Sequence, residues 1–265
     1  MLSIAPREDT PLPAAPYSGK IGDGKSGRPL GLAAISTVLG TMGRDMIKAA
    51  IFDLDGTLID SEFVALKAWE RASEQMDLGL TTELIYSFIG ITRITCLDML
   101  SEFLGGNYEL ADEAFELHKV FENELYPEML ELKPGVEEIL RGLSERGIKI
   151  ALATSSRGPI MHQKFDRFGF NHYFDSMTFG DELERGKPEP DIFLFAVERL
   201  GFDPAECAVI EDSYNGVRAG HGAGCYTIMV PDIMQPTEEI RELTDVVVES
   251  LNDVIPHLEK ESLLA

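Results

Sequence analysis

Two aspartates, Asp53 and Asp55, close an apolar run that ends in a glycine: Ala49-Ala50-Ile51-Phe52-Asp53-Leu54-Asp55-Gly56-Thr57-Leu58. In a strand, side chains at i and i+2 share a face, so the two carboxylates start on one side, about 6–7 Å apart at Cα, until the chain turns at Gly56. Two acids so placed repel unless a cation offsets them, which points to a metal or phosphate site. The alternative is a strand end whose aspartates cap the next turn, since Asp and Gly are common turn formers.

Further polar groups end other apolar runs. Thr154-Ser155-Ser156 follow Ile150-Ala151-Leu152-Ala153, Lys187-Pro188 precede a helical stretch, and Glu211-Asp212 follow Ala208-Val209-Ile210. In open parallel sheets, ligands collect at the carboxyl ends of strands. Taken singly, Lys187 reads as a solvated lysine, Thr154 as a cap and Glu211-Asp212-Ser213 as an acidic N-cap. Their order along one chain favours a shared site.

The elements that must hold these residues follow from periodicity. Helical spacing runs through residues 62–76, 82–89, 93–103 and 110–126, where Trp69 and Phe115 read as core. From residue 133 the pattern alternates. Helices are expected near 134–146, 159–168, 190–200 and 215–221, with apolar strands at 148–153, 174–179, 208–210, 226–230 and 246–248. Such alternation implies an α/β fold, a Rossmann-like parallel sheet covered on both faces. The first aspartate strand belongs to that sheet, so residues 63–130 form an inserted helical cap domain between core segments 46–62 and 131–265.

Residues 1–45 are rich in proline and glycine, lack periodicity and read as a flexible tail. They include Gly19-Lys20-Ile21-Gly22-Asp23-Gly24-Lys25-Ser26, which fits the nucleotide-binding pattern G-x-x-x-x-G-K-[ST]. That loop needs a strand before it and a helix after it. Pro-Ala-Ala-Pro-Tyr precedes and Gly27 and Pro29 follow, so it reads as a chance match. Met46 would be a natural chain start.

The chain is long enough for one substantial core and a smaller domain. Its 46 acidic residues against 23 basic give a formal charge of -23, which disfavours nucleic acid and anionic membrane as partners. An anionic substrate then needs a local positive device. Cys96, Cys207 and Cys225 are widely spaced, suggesting neither a disulfide framework nor a zinc site, and a reducing cytoplasm fits. No apolar run approaches the length of a membrane span. Monomer and homodimer both remain open.

Asp-Leu-Asp-Gly-Thr after an apolar strand, joined to Ala153-Thr154-Ser155-Ser156, Gly186-Lys187-Pro188-Glu189-Pro190-Asp191 and Ile210-Glu211-Asp212-Ser213, resembles the haloacid dehalogenase superfamily. The likeness is to members with a small helical cap after the first motif, and it covers about residues 47–255. It implies that Asp53 is the nucleophile forming an aspartyl-phosphate, and Asp55 the acid and then the base. It implies that Thr154, Ser155 and Lys187 bind the phosphoryl group. Mg2+ would be held by Asp53, Asp212 and the main-chain carbonyl of Asp55, with Glu211 supporting. Charge neutralisation by a hard cation and a lysine suits phosphoryl transfer, and Asp55 can hold a proton if its side chain faces away from the ion.

The resemblance implies a phosphatase of a small phosphorylated metabolite, such as a sugar phosphate. A dehalogenase is disfavoured by the acid at Asp55. A β-phosphoglucomutase-like enzyme is the nearer alternative, with an arginine matching Arg93, but that group carries a histidine where this chain has Ala65. Glu62 and Arg93 are candidates to face the substrate across the cleft. A binding module on the same fold would be expected to have lost a motif residue, and none is missing.

Overall fold

A computed structural model describes residues 46–264. The expected tail and the Gly19–Ser26 segment lie outside the described residues. Six strands, β1 (Ala49–Phe52), β2 (Lys149–Thr154), β3 (Ser176–Phe179), β4 (Cys207–Glu211), β5 (Tyr226–Met229) and β6 (Val246–Val247), form one sheet in the order β3-β2-β1-β4-β5-β6. Every neighbouring pair is parallel. The chain is therefore an α/β protein with a Rossmann-like core, as its alternating pattern predicts.

The central strands are apolar on both faces because both faces are covered. Ala50 and Phe52, Ile150 and Leu152, and Ala208 and Ile210 point to one side, into a core with α5 (Val136–Glu145), α6 (Gly158–Phe165) and α10 (Val254–Lys260). The alternate residues Ala49, Ile51, Ala151, Ala153 and Val209 pack on α7 (Asp191–Leu200) and α8 (Tyr214–Ala223). A short helix, α9 (Glu238–Leu243), buries Ile240 against Val217 and Met229.

Between β1 and β2 lie α1 (Ser61–Met76), α2 (Thr82–Ser87), α3 (Arg93–Phe103) and α4 (Tyr108–Met129). They share a core of their own around Trp69, Ile85, Leu97, Leu100 and Phe121. Each begins where a side-chain oxygen takes an otherwise unpaired amide: Asp60 from Phe63, Thr81 from Leu84, Thr92 from Thr95 and Asn107 from Leu110. The two connections to the sheet run side by side, with the Asp60 amide donating to the Glu131 carbonyl at 2.9 Å and the Lys133 amide to the Leu58 carbonyl at 2.9 Å.

Two helix ends and two short helices differ most from the sequence reading. α4 continues through Pro127 to Met129, since a proline in the last turn removes one hydrogen bond without breaking the turns before it. α6 stops at Phe165 and tightens into a 3-10 turn over Asp166–Phe168. Helices α9 and α10, of six and seven residues, are too short to show a helical period.

Candidate active site

β1 lies between β2 and β4, and the carboxyl ends of these three strands converge. Thr154 ends β2, Glu211 ends β4, and Asp53 follows β1 directly, its amide donating to the Ile210 carbonyl at 3.0 Å. Lys187, from the loop before α7, extends its ammonium beneath them. It donates to Asp53 Oδ1 at 2.5 Å, to Glu211 Oε1 at 2.6 Å and to the Ala153 carbonyl at 3.3 Å, and lies 4.8 Å from the centre of the Phe193 ring. Only 6% of the lysine side chain is exposed, so this is no surface lysine.

Glu211 is fixed from its other oxygen, which accepts from the Asp212 amide, the Ser213 amide and Ser213 Oγ at 2.9–3.0 Å. The cap of α8 is Ser213, which takes the Gly216 amide, so the Glu211 and Asp212 side chains are left for the site. Asp212 Oδ1 accepts from Thr57 Oγ1 at 2.9 Å. Two glycines permit this crowding. A Cβ on Gly216 would fall 1.7 Å from Glu211 Oε1, and one on Gly56, whose φ is +82°, 2.3 Å from Asp212 Oδ2. Only glycine adopts that φ without strain.

Asp53, Glu211 and Asp212 each offer a carboxylate oxygen, all within 4.8 Å of one another and buried. Burial pushes the Asp53 carboxyl up to about 7; the Lys187 ammonium pulls it down and Glu211 pushes it up again. Asp212 is driven well above the usual range by burial and by Glu211, Glu62 and Asp53, against the Thr57 hydrogen bond. Lys187 is raised: burial disfavours its charge, but the Asp53 and Glu211 carboxylates outweigh that. Three buried carboxylates against one ammonium form an oxygen donor set that suits a hard divalent cation.

Asp55 takes no part in that cluster with its side chain. Its Oδ1 accepts from Lys164 Nζ at 2.7 Å and its Oδ2 from Ser156 Oγ at 2.7 Å. Burial opposes its charge, yet the Lys164 ammonium and the Ser156 and Ser61 hydroxyls hold the carboxyl down at about 2. The side chain thus serves Lys164 and Ser156, and the proton it could hold if turned away from an ion is absent in this arrangement because a buried ammonium takes its place. The aspartates begin on one strand end and serve different neighbours.

Above these groups opens a cavity of about 580 Å3 whose lining includes Thr154, Ser155, Glu62, Arg93, Trp69, Phe115 and His118. Thr154 is buried and its hydroxyl accepts from the Ser156 amide at 3.0 Å, while Ser155 is exposed at the rim. Glu62 is set against Asp232, which also receives Lys133 at 2.5 Å. Burial and Asp232 push Glu62 up to about 9, against the pull of Lys133. Arg93 stands at the cavity wall with its guanidinium held by Asp112 at 2.5 Å and Glu116 at 2.9 Å. Trp69 and Phe115 pack in the helical core, as expected, and line the cavity as well.

The sequence reading missed Lys164, Ser156 and His118. Lys164 shares a helix stripe with Met161 and Phe165, and His118 one with Ala111, Ala114 and Phe121. A polar residue on an apolar stripe was the available signal.

A family model for haloacid dehalogenase-like hydrolases matches residues 47–224. A phosphorylated carbohydrates phosphatase of Thermotoga maritima is 35% identical over 178 residues, covering 67% of this chain and 82% of the relative. A β-phosphoglucomutase of Bacillus subtilis is 31% identical over 218 residues, covering 78% and 95%. Among solved structures, a putative β-phosphoglucomutase from Thermotoga maritima superposes with a TM-score of 0.66 at 30% identity, covering 81% of this chain and 99% of that one.

Proposed function

This chain belongs to the haloacid dehalogenase-like hydrolase family, and from that premise we propose that it is a Mg2+-dependent phosphatase of a small phosphorylated metabolite, a sugar phosphate by its likeness to the carbohydrate phosphatase. It is a phosphoric monoester hydrolase by family and relatives. The observation that carries the site assignment is the convergence of Asp53, Glu211 and Asp212 at the ends of β1 and β4, with Lys187 donating to the first two.

Asp53 acts as nucleophile: a carboxylate oxygen bonds to phosphorus as the ester P–O bond breaks, leaving an aspartyl-phosphate. Asp55, withdrawn from Lys164 and carrying the proton taken from water in the preceding turnover, gives it to the departing oxygen. It then takes a proton from the water that attacks the aspartyl-phosphate, releasing phosphate and restoring Asp53. The Lys164 contact favours the ionised Asp55 that this second step requires. Thr154, Ser155 and Lys187 orient the phosphoryl oxygens. Mg2+, held by Asp53, Asp212 and the Asp55 main-chain carbonyl with Glu211 behind them, would supply the charge that lets a carboxylate meet a phosphate dianion. Residues 63–130 act as a cap that closes the leaving group off from water.

Among the described residues no helix is long and apolar enough to cross a membrane, and the place of action we assign is the cytoplasm. Likeness to β-phosphoglucomutases supports a mutase reading; Ala65 in the cavity wall, where that group carries a histidine, weighs against it. The test is phosphate release from sugar phosphates, nucleotides and phosphoglycolate with Mg2+ or EDTA, with product identification for β-glucose 1-phosphate. Metal-dependent release supports the phosphatase. Glucose 6-phosphate without release would replace it by the mutase, and silence throughout would favour an untested substrate or a binding module.

A further inference from the structure

The segment 231–236, which joins β5 to α9, belongs to the core but reaches the cap. Both of its ends are fixed on the core: the Val230 amide donates to the Glu211 carbonyl at 2.7 Å, and Thr237, the cap of α9, takes the Ile240 amide at 3.3 Å. Pro231 and Pro236 bracket the residues between. Among the described residues, nothing in 231–236 makes a backbone-to-backbone hydrogen bond. Its course therefore depends on side chains, beginning with the Tyr214 hydroxyl, which donates to the Gln235 carbonyl.

The other attachments lie on the cap side. Asp232 accepts from Lys133 Nζ at 2.5 Å and stands beside Glu62, so one core side chain meets both connections between sheet and cap. Ile233 packs against the helical core that holds Trp69 and Ile85. Met234 lies against Gly90, in the turn between α2 and α3. A Cβ at Gly90 would fall 3.2 Å from Met234 Cε and 3.5 Å from its sulfur, and the φ of +69° there is one that glycine adopts without strain. Residues 88–92 of that turn all line the cavity.

Three successive side chains, an acid, a branched aliphatic and a thioether, thus grip the connections of the cap, its core and the turn that walls the cavity. All three are half-buried. Covering half of one such apolar side chain shifts an equilibrium by about tenfold, enough to bias the position of the cap. We propose that residues 231–236 form a strap by which the core holds the cap over the active site, with Ile233 and Met234 as positioning residues that set how firmly residues 88–92 close on a bound ligand.

Trp69 is the single tryptophan of the chain, and its ring packs on Phe88 with centroids 4.9 Å apart. Acrylamide quenching of its fluorescence therefore reads how closely the turn covers it. In the full chain, Met234→Ala removes the prop against Gly90, whereas Met234→Leu keeps an apolar side chain of similar volume. Met234→Ala should raise the quenching constant at least about twofold and the KM of the best ester about tenfold, with kcat within about threefold. That split marks a weakened closed complex that still predominates once substrate is bound. Met234→Leu should restore both values. Unchanged quenching in Met234→Ala, or a lowered melting temperature with KM unmoved, would show a loop that only packs and would overturn the proposal.

Amide hydrogen exchange of the wild type keeps the proposal testable if the alanine variant does not fold. Residues 86–95 and 232–237 should open together, with one exchange rate that rises in step with urea; separate opening of the two segments would overturn the strap. Quenching and exchange need no substrate. Absence of metal-dependent release from every ester would refute the phosphatase reading and leave these two measurements to decide the strap.

Discussion

Replacing Lys187 by methionine removes the one cation that, among the described residues, touches both Asp53 and Glu211. The methionine side chain fills similar space above Phe193, so the effect is electrostatic. Both pairs are deeply buried, with side-chain exposures of 6% for the lysine, 9% for Asp53 and 1% for Glu211. Breaking such a buried pair from one side costs about 3–5 kcal/mol, because a charge is left unpaired. For a domain of this size each kcal/mol moves the melting temperature by roughly 2–4 °C, so in EDTA the variant should melt roughly 6–20 °C below the wild type. A cation bound only by the folded state adds about 2.7 kcal/mol at a hundredfold excess over its Kd. Lys187 competes with that cation for the same carboxylates, so the increment from Mg2+ should be larger in Lys187→Met than in the wild type. Turnover should nevertheless fall at least about a thousandfold, since a metal cannot replace the lysine on the phosphoryl oxygens. The assay is thermal unfolding followed by circular dichroism, with EDTA and with a Mg2+ titration, beside phosphate release. A variant that melts within about 2 °C of the wild type in EDTA and gains the same from Mg2+ would refute the shared-charge account.

Asp53→Asn should abolish metal-dependent phosphate release, by at least about a thousandfold, while the circular dichroism spectrum stays that of the wild type; near-normal turnover would remove Asp53 as nucleophile. Gly56→Ala combines a φ of +82° with a Cβ 2.3 Å from Asp212 Oδ2, so it should lower stability by about 1–2 kcal/mol and raise the Mg2+ concentration needed for half-maximal activity; an unchanged Mg2+ requirement would show that Asp212 is not a ligand. Lys164→Met tests the Asp55 contact through pH. The folded carboxyl, at about 2 against an ordinary 3.8, contributes stability above its unfolded value and loses it as pH falls through the folded one. The net shift of that carboxyl therefore contributes about 2 kcal/mol at pH 7, with about half left at pH 3. Urea unfolding should show the wild-type advantage over Lys164→Met shrinking across that interval, and a difference independent of pH would mean that the lysine acts through packing.

The strand ends were legible because parallel strands buried on both faces leave apolar runs that stop where the sheet stops, and Asp53, Thr154, Glu211 and Asp212 each follow such a stop. Lys187 was legible only as part of that order; alone, its sequence neighbourhood is that of a solvated loop. What the sequence did not reveal were contacts made by one helix face over long separation. Lys164 reaches Asp55 across 109 positions, and only the topology brings α6 beside the end of β1. Ser156 rather than the exposed Ser155 meets Asp55 for a related reason: after β2 ends, the turn decides which hydroxyl points inward, and Thr154 Oγ1 fixes that turn by accepting the Ser156 amide. Glu62 and Arg93 were singled out as substrate-facing, and both line the cavity, but each has an acidic neighbour that spacing could not show.

Two carboxylates two residues apart are driven in opposite directions, Asp53 up to about 7 and Asp55 down to about 2. Burial works the same way on both, so the difference lies in their neighbours: the Ser156 and Ser61 hydroxyls join Lys164 on Asp55, while Glu211 opposes Lys187 at Asp53. Lys164 serves Asp55 alone, and its whole charge favours that ion. Lys187 is divided between Asp53 and Glu211, with Asp212 close by, and falls short of neutralising the set. On the proposed reading, that deficit suits the strand ends to a divalent cation, which would make the floor of the cavity positive enough to receive a phosphate dianion in a chain of formal charge -23. Phosphate and metal should accordingly bind with positive coupling: inorganic phosphate should raise the melting temperature when Mg2+ is present and leave it unchanged in EDTA. An equal phosphate effect in both conditions would mean that Lys187 alone holds the anion and that the cation is not needed to receive it.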